Sequence, residues 1–172
     1  MQRRKFIQST TSAFLLLASG EVVKAEGSWL TNLSAKKLKL RFAVASDGHY
    51  GQPNTDYENY FKSVVDHINN QHTSNPFAFC MINGDIIHDD KAHCPAAKAA
   101  LDQLQVKYYV SQGNHDKLTA DEWMQTWKMP INLHFSIKKN SFVIASTSNE
   151  TGTYLCPDLG WMSNTLEKLK RQ

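Results

Sequence analysis

The stretch VSQGNHDKLT, residues 110–119, runs from an apolar segment directly into glycine, asparagine, histidine and aspartate. A solvent-exposed turn needs only polar residues, and Asn and Asp favour loops for backbone reasons alone. Here, however, an amide, an imidazole and a carboxylate follow Gly113 in consecutive positions. These side chains bind metal ions or move protons, so this loop is a candidate functional site.

The segments around this stretch alternate between apolar strands and helical periodicity. Strands are predicted at residues 38–46, 76–83 and 106–111, followed by a hairpin of strands 133–137 and 142–147 with a four-residue loop, 138–141. Helices are predicted at residues 56–70, 95–104, 121–128 and 159–170. In the last helix one face is expected to carry Leu159, Met162, Leu166 and Leu169, and Asp158 is expected to cap its start.

The order strand–helix–strand–helix–strand determines the predicted fold class. Such an order implies right-handed crossovers and a mostly parallel sheet, so the chain is predicted to be α/β, with a parallel sheet plus the hairpin. In sheets of this kind, functional residues gather in the loops beyond the carboxyl ends of the strands. The ends of the three strands are therefore where a site is expected.

Each of the three predicted strands ends in residues that bind metals. Asp-Gly-His follows the first strand, Gly-Asp follows the second, and Gly-Asn-His-Asp follows the third. Carboxylate, imidazole and amide donors without a thiolate suit divalent Mn, Fe or Zn. Two such ions about 3.5–4 Å apart, as in two-metal phosphoryl-transfer sites, need a bridging ligand. The second strand supplies it most naturally, and the candidate residues are Asp47, His49, Asp85, Asn114 and His115.

Each of these short motifs has an ordinary structural interpretation when taken alone. Asp-Gly after a strand is a common turn pair, and Gly-Asp is less specific still. What favours a metal site is that such groups occur at three successive strands, each time just after the carboxyl end of the strand.

The ordered set D-x-H, G-D and G-N-H-D resembles the calcineurin-like metallophosphoesterase family over about residues 38–170. The resemblance implies an αββα sandwich, of which this chain would supply the N-terminal half. It also implies two divalent metal ions and the hydrolysis of phosphomonoesters or phosphodiesters by a metal-bound hydroxide. The run GDIIHDD, residues 84–90, is nearest to members described as cyclic-nucleotide phosphodiesterase-like.

The resemblance also implies a role for each candidate residue. Asp47 and His49 would bind the first metal, Asp85 would bridge both metals, and Asn114 would bind the second. His115 would contact the substrate phosphate or protonate the leaving oxygen. Asp116 would orient the His115 imidazole and favour its charged form, as a nearby carboxylate does.

The chain departs from the family pattern after Thr147. The family has a later histidine and a Gly-His-x-His group that complete the metal coordination, and neither is present in this sequence. His88 and His93 are the histidines nearest the expected site that could contact substrate. The expectation is a C-terminally truncated metallophosphoesterase domain over residues 38–172, with the apolar face of its sheet uncovered. The alternatives are a non-catalytic remnant that binds metal or phosphate, and an exported binding protein whose strand ends are merely loops.

The first 25 residues have the layout of a secretory signal, with a basic start, an apolar run and small residues at the end. The run Arg3-Arg4-Lys5-Phe6-Ile7 resembles a twin-arginine signal, with cleavage expected after Ala25 and a linker at residues 26–37. An ordinary Sec signal is the alternative. The apolar run is too short for a stable membrane span. A periplasmic or secreted protein, exported in bacteria by the twin-arginine machinery, is therefore predicted.

Composition narrows the remaining function classes. A hydrophobic share of 41% and a charged share of 20% are typical of a globular domain rather than a disordered chain. Beyond residue 25 the chain carries 15 basic and 15 acidic side chains, which argues against a role in coating nucleic acid. The three cysteines have no zinc-finger spacing, and Cys80 is expected to be a buried thiol. The predicted partner is a phosphate-ester substrate.

Overall fold

The computed structural model describes residues 40–170, together with the backbone of two short strands, β1 (Phe14–Leu16) and β2 (Val22–Lys24). The chain divides into two units, Met1–Lys39 and Leu40–Gln172. Within the first unit, β1 and β2 pair antiparallel. The predicted signal peptide and linker otherwise lie outside the described residues.

The second unit is built around a three-stranded parallel sheet. Its strands are β3 (Ala43–Ala45), β4 (Cys80–Asn83) and β5 (Tyr108–Ser111), in the order β3-β4-β5. The register aligns Ala45 with Ile82, and Ile82 with Val110, so the three carboxyl ends lie at one edge of the sheet. The mixed α/β fold with a parallel sheet is confirmed.

Within residues 40–170, four α-helices accompany the sheet, each close to its predicted position: α1 (Tyr57–Ser74), α2 (Cys94–Leu101), α3 (Ala120–Trp127) and α4 (Leu159–Lys170). A 3₁₀ turn, Lys91–His93, precedes α2, and Pro95 lies in the first turn of that helix, where its missing N–H costs nothing. Thr119 and Glu122 form a capping box at the start of α3. None of these helices combines the length and apolar character needed to cross a bilayer.

The predicted hairpin is present, but its turn is shorter than expected. Strands β6 (Leu133–Ile137) and β7 (Asn140–Ile144) pair antiparallel, and Ile137 lies opposite Asn140. The turn is therefore two residues, Lys138 and Lys139, instead of the predicted four. Lys138 has a φ of 56°, the left-handed conformation that tight two-residue hairpin turns require.

The two faces of the sheet differ in how well they are covered. Ala43 and Ala45 pack against the main core, which includes Ile82, Val110 and residues of α1, α2 and α3. The opposite face carries Phe42 and Val44, whose exposed fractions are 43% and 60%. Within residues 40–170, Val44 therefore leaves apolar surface exposed on this face, while the Phe42 ring packs partly on Phe79 and Phe142.

The β6–β7 hairpin covers the rest of this second face with aromatic rings. Phe135 stacks on Tyr109 with ring centroids 3.6 Å apart, and Phe142 packs edge-on against Phe79 at 4.7 Å. A cavity of about 260 Å³ remains between the hairpin and the sheet, and its lining includes Asn83 and Ser111, the last residues of β4 and β5.

Helix α4 begins as predicted, but its predicted apolar face is only partly buried. The Asp158 carboxylate accepts a hydrogen bond from the Trp161 backbone N–H at 2.8 Å, which confirms the cap. Leu159 and Leu166 are 62% and 46% exposed, whereas Thr165 is buried. Met162 and Leu169 are half-buried, so the face predicted to carry these four residues lies partly in solvent, and the main described contact of α4 is with β7.

Candidate metal centre

Hydrogen bonds beyond the strands hold the site loops side by side. The His49 N–H donates to the Asp85 carbonyl at 2.8 Å, continuing the β3–β4 pairing past the last strand residue. The Asp89 N–H donates to the His115 carbonyl at 3.0 Å and joins the loops after β4 and β5. The three loops are therefore fixed by backbone contacts, independently of what their side chains bind.

Three of the predicted metal ligands have left-handed backbone conformations. The φ values of Asp47, His49 and Asp85 are 58°, 45° and 50°. This region is sparsely populated by residues other than glycine, although Asp and His enter it more readily than most. Such conformations concentrate at functional sites, where surrounding contacts hold them in place. Here they turn the carboxylates and the imidazole toward one point.

Two glycines permit the close approach of the loops after β4 and β5. A Cβ atom on Gly113 would lie 2.2 Å from the Asp85 Oδ1 atom and 2.3 Å from its backbone nitrogen. Gly84 has a φ of 71°, and a Cβ atom there would meet the Gly113 backbone at 3.1 Å. A side chain at Gly113 would displace Asp85, and one at Gly84 would press on the loop after β5, which explains why Gly stands at both positions.

Asp47, His49 and Asp85 converge as the sequence predicts. The His49 Nε2 atom lies 4.0 Å from Asp47 Oδ1 and 3.9 Å from Asp85 Oδ2. These separations are too long for hydrogen bonds. They fit donors around one ion, since two ligands each about 2.1 Å from a metal lie at most about 4.2 Å apart. Asp85 Oδ1 accepts the His115 backbone N–H at 2.9 Å, which leaves Oδ2 free to face His49.

A second cluster, of three imidazoles, adjoins the first. His49, His88 and His115 bring one ring nitrogen each to within 4.8 Å of the others. The His88 and His115 rings stack with centroids 4.9 Å apart, and His49 stands nearly perpendicular to His115 at 4.8 Å. Of the two histidines suggested by position, His88 joins the site. His93 instead packs on the Tyr50 and Tyr57 rings.

Asp89 and Lys117 belong to the site but were not predicted from the sequence. The Asp89 Oδ1 atom lies 3.0 Å from His115 Nδ1 and 2.7 Å from Lys117 Nζ. The hydrogen bond from Lys117, with that from His115, lowers the pKa of Asp89, so it is a carboxylate at neutral pH. Asp89 lies four positions after Asp85 and Lys117 directly follows Asp116, and only the loop conformation brings both to His115.

The structure corrects the role predicted for Asp116. Its carboxylate is 1% exposed and accepts backbone N–H groups of Ile86, Ile87 and Gly113 at 2.8, 3.0 and 2.7 Å. Burial raises the pKa of Asp116 to about 6 against the opposing effect of these donors. Because both of its oxygens are engaged by the backbone, the contact with the His115 ring is made by Asp89 instead.

Asn114 lies between His115 and Gly113, but its side chain meets a later segment. Its Oδ1 atom accepts the Tyr154 hydroxyl at 2.9 Å, and the Tyr154 ring is otherwise 74% exposed. A carbonyl oxygen has two lone pairs, so this bond leaves one for a metal ion. Tyr154 is a contact that no sequence motif indicated.

These observations define a class of site. Carboxylate and imidazole donors at the carboxyl edge of a parallel sheet, with a histidine–carboxylate pair beside them, suit metal-assisted hydrolysis. Comparison with known families agrees. The sequence model described as calcineurin-like phosphoesterase matches residues 40–171, which is most of the chain, and the protein belongs to this family. A search among curated proteins found no match to the chain.

Proposed function

We propose that this site hydrolyses phosphate esters with the help of two divalent metal ions, Mn, Fe or Zn. The observation that carries the proposal is the convergence of Asp47, His49 and Asp85 at spacings suited to one ion, with His115 beside them. Membership of the phosphoesterase family supports the reaction class. The substrate is a phosphomonoester or a phosphodiester.

Some residues of the site would bind the metal ions, and His115 would transfer a proton. Asp47 and His49 would hold the first ion, Asp85 would bridge to the second, and Asn114 would contribute its free lone pair to the second. When bound, the ions would supply Lewis-acid chemistry, both to generate a nucleophile from water and to neutralise phosphate charge.

His115 is proposed to give its proton to the leaving oxygen. Its Nδ1 atom faces Asp89, so its Nε2 atom is the one left to face a substrate. A carboxylate at Nδ1 fixes the ring orientation and stabilises the imidazolium form that can donate a proton. Lys117, held on the same Asp89 oxygen, would keep a positive charge near the phosphate.

The test is hydrolysis of bis-p-nitrophenyl phosphate and p-nitrophenyl phosphate by the purified chain, with and without added Mn²⁺. We expect hydrolysis that requires the metal and is lost in Asp85→Asn. The matched control is Asp66→Asn, an exposed aspartate on α1 that pairs with Lys62 outside the site. The ratio of the two activities would assign the enzyme to diesters or monoesters.

Two results would count against the proposal. Mn²⁺ binding without turnover of either ester would favour the non-catalytic remnant. Turnover that survives in Asp85→Asn would show that the measured activity comes from elsewhere.

We also propose that the protein is exported to the periplasm or secreted by the twin-arginine route. The support is the basic, apolar and small-residue layout of residues 1–25. In a bacterial host with this pathway, the exported protein should begin after Ala25 by intact mass. Replacing Arg3 and Arg4 with Lys should retain it in the cytoplasm, and export that persists would favour the Sec route.

A further inference from the structure

His49 presents its two ring nitrogens to two different groups. Its Nε2 atom faces the Asp47 and Asp85 carboxylates at 4.0 and 3.9 Å. Its Nδ1 atom lies 3.2 Å from the Nδ1 atom of His88. At this distance the two nitrogens share one hydrogen, so one ring donates and the other accepts.

A metal ion at Nε2 would decide which ring donates. An imidazole binds a metal through a lone pair, so with Nε2 engaged the remaining hydrogen of neutral His49 must sit on Nδ1. That hydrogen needs an acceptor, and metal-bound histidines characteristically donate it to a neighbouring group that fixes the ring. In the described part of the chain, the group at hydrogen-bond distance from His49 Nδ1 is His88.

Two further contacts, a backbone hydrogen bond and a ring stack, fix the position of His88. Its backbone N–H donates to the Tyr50 carbonyl at 2.9 Å, which extends the pairing between the loops after β3 and β4. Its ring stacks on His115 at an interplanar angle of 14°. His88 is thus held in place without relying on its contact with His49, as a positioning residue must be.

We infer that His88 is a positioning residue for the metal site, accepting the His49 Nδ1–H so that His49 presents its Nε2 lone pair to the ion. This inference rests on the proposed function, because it assumes that Asp47, His49 and Asp85 bind a metal. It assigns His88 the tautomer with hydrogen on Nε2. That nitrogen is then a donor within the imidazole cluster, available to a substrate oxygen.

The experiment compares Mn²⁺ affinity by calorimetry in the full chain and three variants. His88→Ala removes the acceptor and should weaken binding by about 10–100-fold. His88→Asn keeps an acceptor oxygen near the position of Nδ1 and should bind almost as tightly as the wild type. His134→Ala, at an exposed position on β6, is the matched control and should have no effect.

A second measurement reads the hydrogen bond directly in the unmodified chain. Long-range ¹H–¹⁵N spectra of the Zn²⁺-loaded protein should show hydrogen on His49 Nδ1 and on His88 Nε2. A zinc-bound His88 nitrogen, or a His49 ring with hydrogen on Nε2, would overturn the inference even if the variants fail to fold.

The affinities separate this inference from the proposed function. If the wild-type chain binds no Mn²⁺, both are wrong. If it binds Mn²⁺ and His88→Ala binds it equally well, only the role of His88 is wrong. If His88→Asn is as weak as His88→Ala, an accepted hydrogen bond is not what His88 supplies.

Discussion

Asp85 and Asp116 follow neighbouring strands, and their carboxylates have opposite surroundings. Asp85 accepts one backbone N–H, from His115, and keeps its second oxygen free toward His49. Asp116 accepts three backbone N–H groups and is almost completely buried. The difference teaches that residue type and position after a strand do not decide function. What decides it is how many backbone N–H donors the protein itself supplies to the carboxylate.

The largest expected effect tests the catalytic side of this comparison. His115→Asn removes the proton donor and should lower turnover by about 10²–10⁴-fold, while Mn²⁺ affinity should stay near the wild-type value. Steady-state kinetics and calorimetry on the same preparation measure the two quantities. Unchanged turnover would remove His115 from the proposed role.

A smaller effect is expected at the carboxylate that orients His115. Asp89→Asn weakens the contact to His115 Nδ1 and the pairing with Lys117, and turnover should fall by about 10–100-fold. The fall should appear in kcat while Mn²⁺ affinity stays near the wild-type value, since Asp89 acts through the His115 ring and not as a metal ligand. An equal fall in Mn²⁺ affinity would mean that Asp89 supports the metal site and not His115.

Asp116 should affect stability rather than metal binding. In Asp116→Asn the new NH₂ group faces a backbone N–H, and the unfolding free energy should fall by about 1–3 kcal/mol. Urea unfolding followed by fluorescence of the buried Trp123 and Trp127 measures this. Asp85→Asn is the matched variant, because its amide oxygen can still accept the His115 N–H. Equal destabilisation of the two variants would break the comparison.

The pH dependence of the Asp116 effect has a definite sign. The pKa of about 6 in the folded chain lies above the ordinary 3.8, so the folded state binds more protons between these values. The contribution of this carboxyl group to stability is therefore complete below pH 3.8 and is lost as pH rises through 6. The advantage of the wild type over Asp116→Asn should shrink over that range.

The smallest effect on stability is expected at an exposed carboxylate, that of Asp102. Asp102 accepts from Lys98 and from the Tyr108 hydroxyl at 2.7 Å, and these contacts lower its pKa. Because its side chain is 47% exposed, Asp102→Asn should cost no more than about 1 kcal/mol at neutral pH. The cost should vanish as pH falls through the lowered pKa, and urea unfolding at several pH values measures it.

The strands, the helices and the gathering of Asp47, His49 and Asp85 followed from the sequence. Hydrophobic periodicity is local, and parallel strand order places successive carboxyl ends at one edge. The two-residue hairpin turn was not predicted, because Lys138 gives no signal for a positive φ. The extent to which the apolar face of α4 is buried was not predicted either, since it depends on a contact with β7 that helical periodicity does not contain.

The contacts of individual side chains required the structure. Asp116 is adjacent to His115 in sequence and was expected to orient it, yet the loop turns its carboxylate inward to backbone donors. Asp89 comes from a different strand end and reaches His115 through the backbone bond between their loops. No rule of spacing distinguishes these two aspartates, because the difference lies in the loop conformations.

In this site a carboxylate oxygen left free by the backbone is proposed to bind the metal ion. Calorimetric titration with Mn²⁺ of the wild-type chain, Asp85→Asn and Asp116→Asn tests this most directly. The wild type should bind the ion. Asp85→Asn should bind at least about 100-fold more weakly, because it loses a ligand rather than a supporting contact. Asp116→Asn should bind as the wild type does wherever it remains folded. Equal binding by the wild type and Asp85→Asn, or no binding by the wild type, would contradict the account.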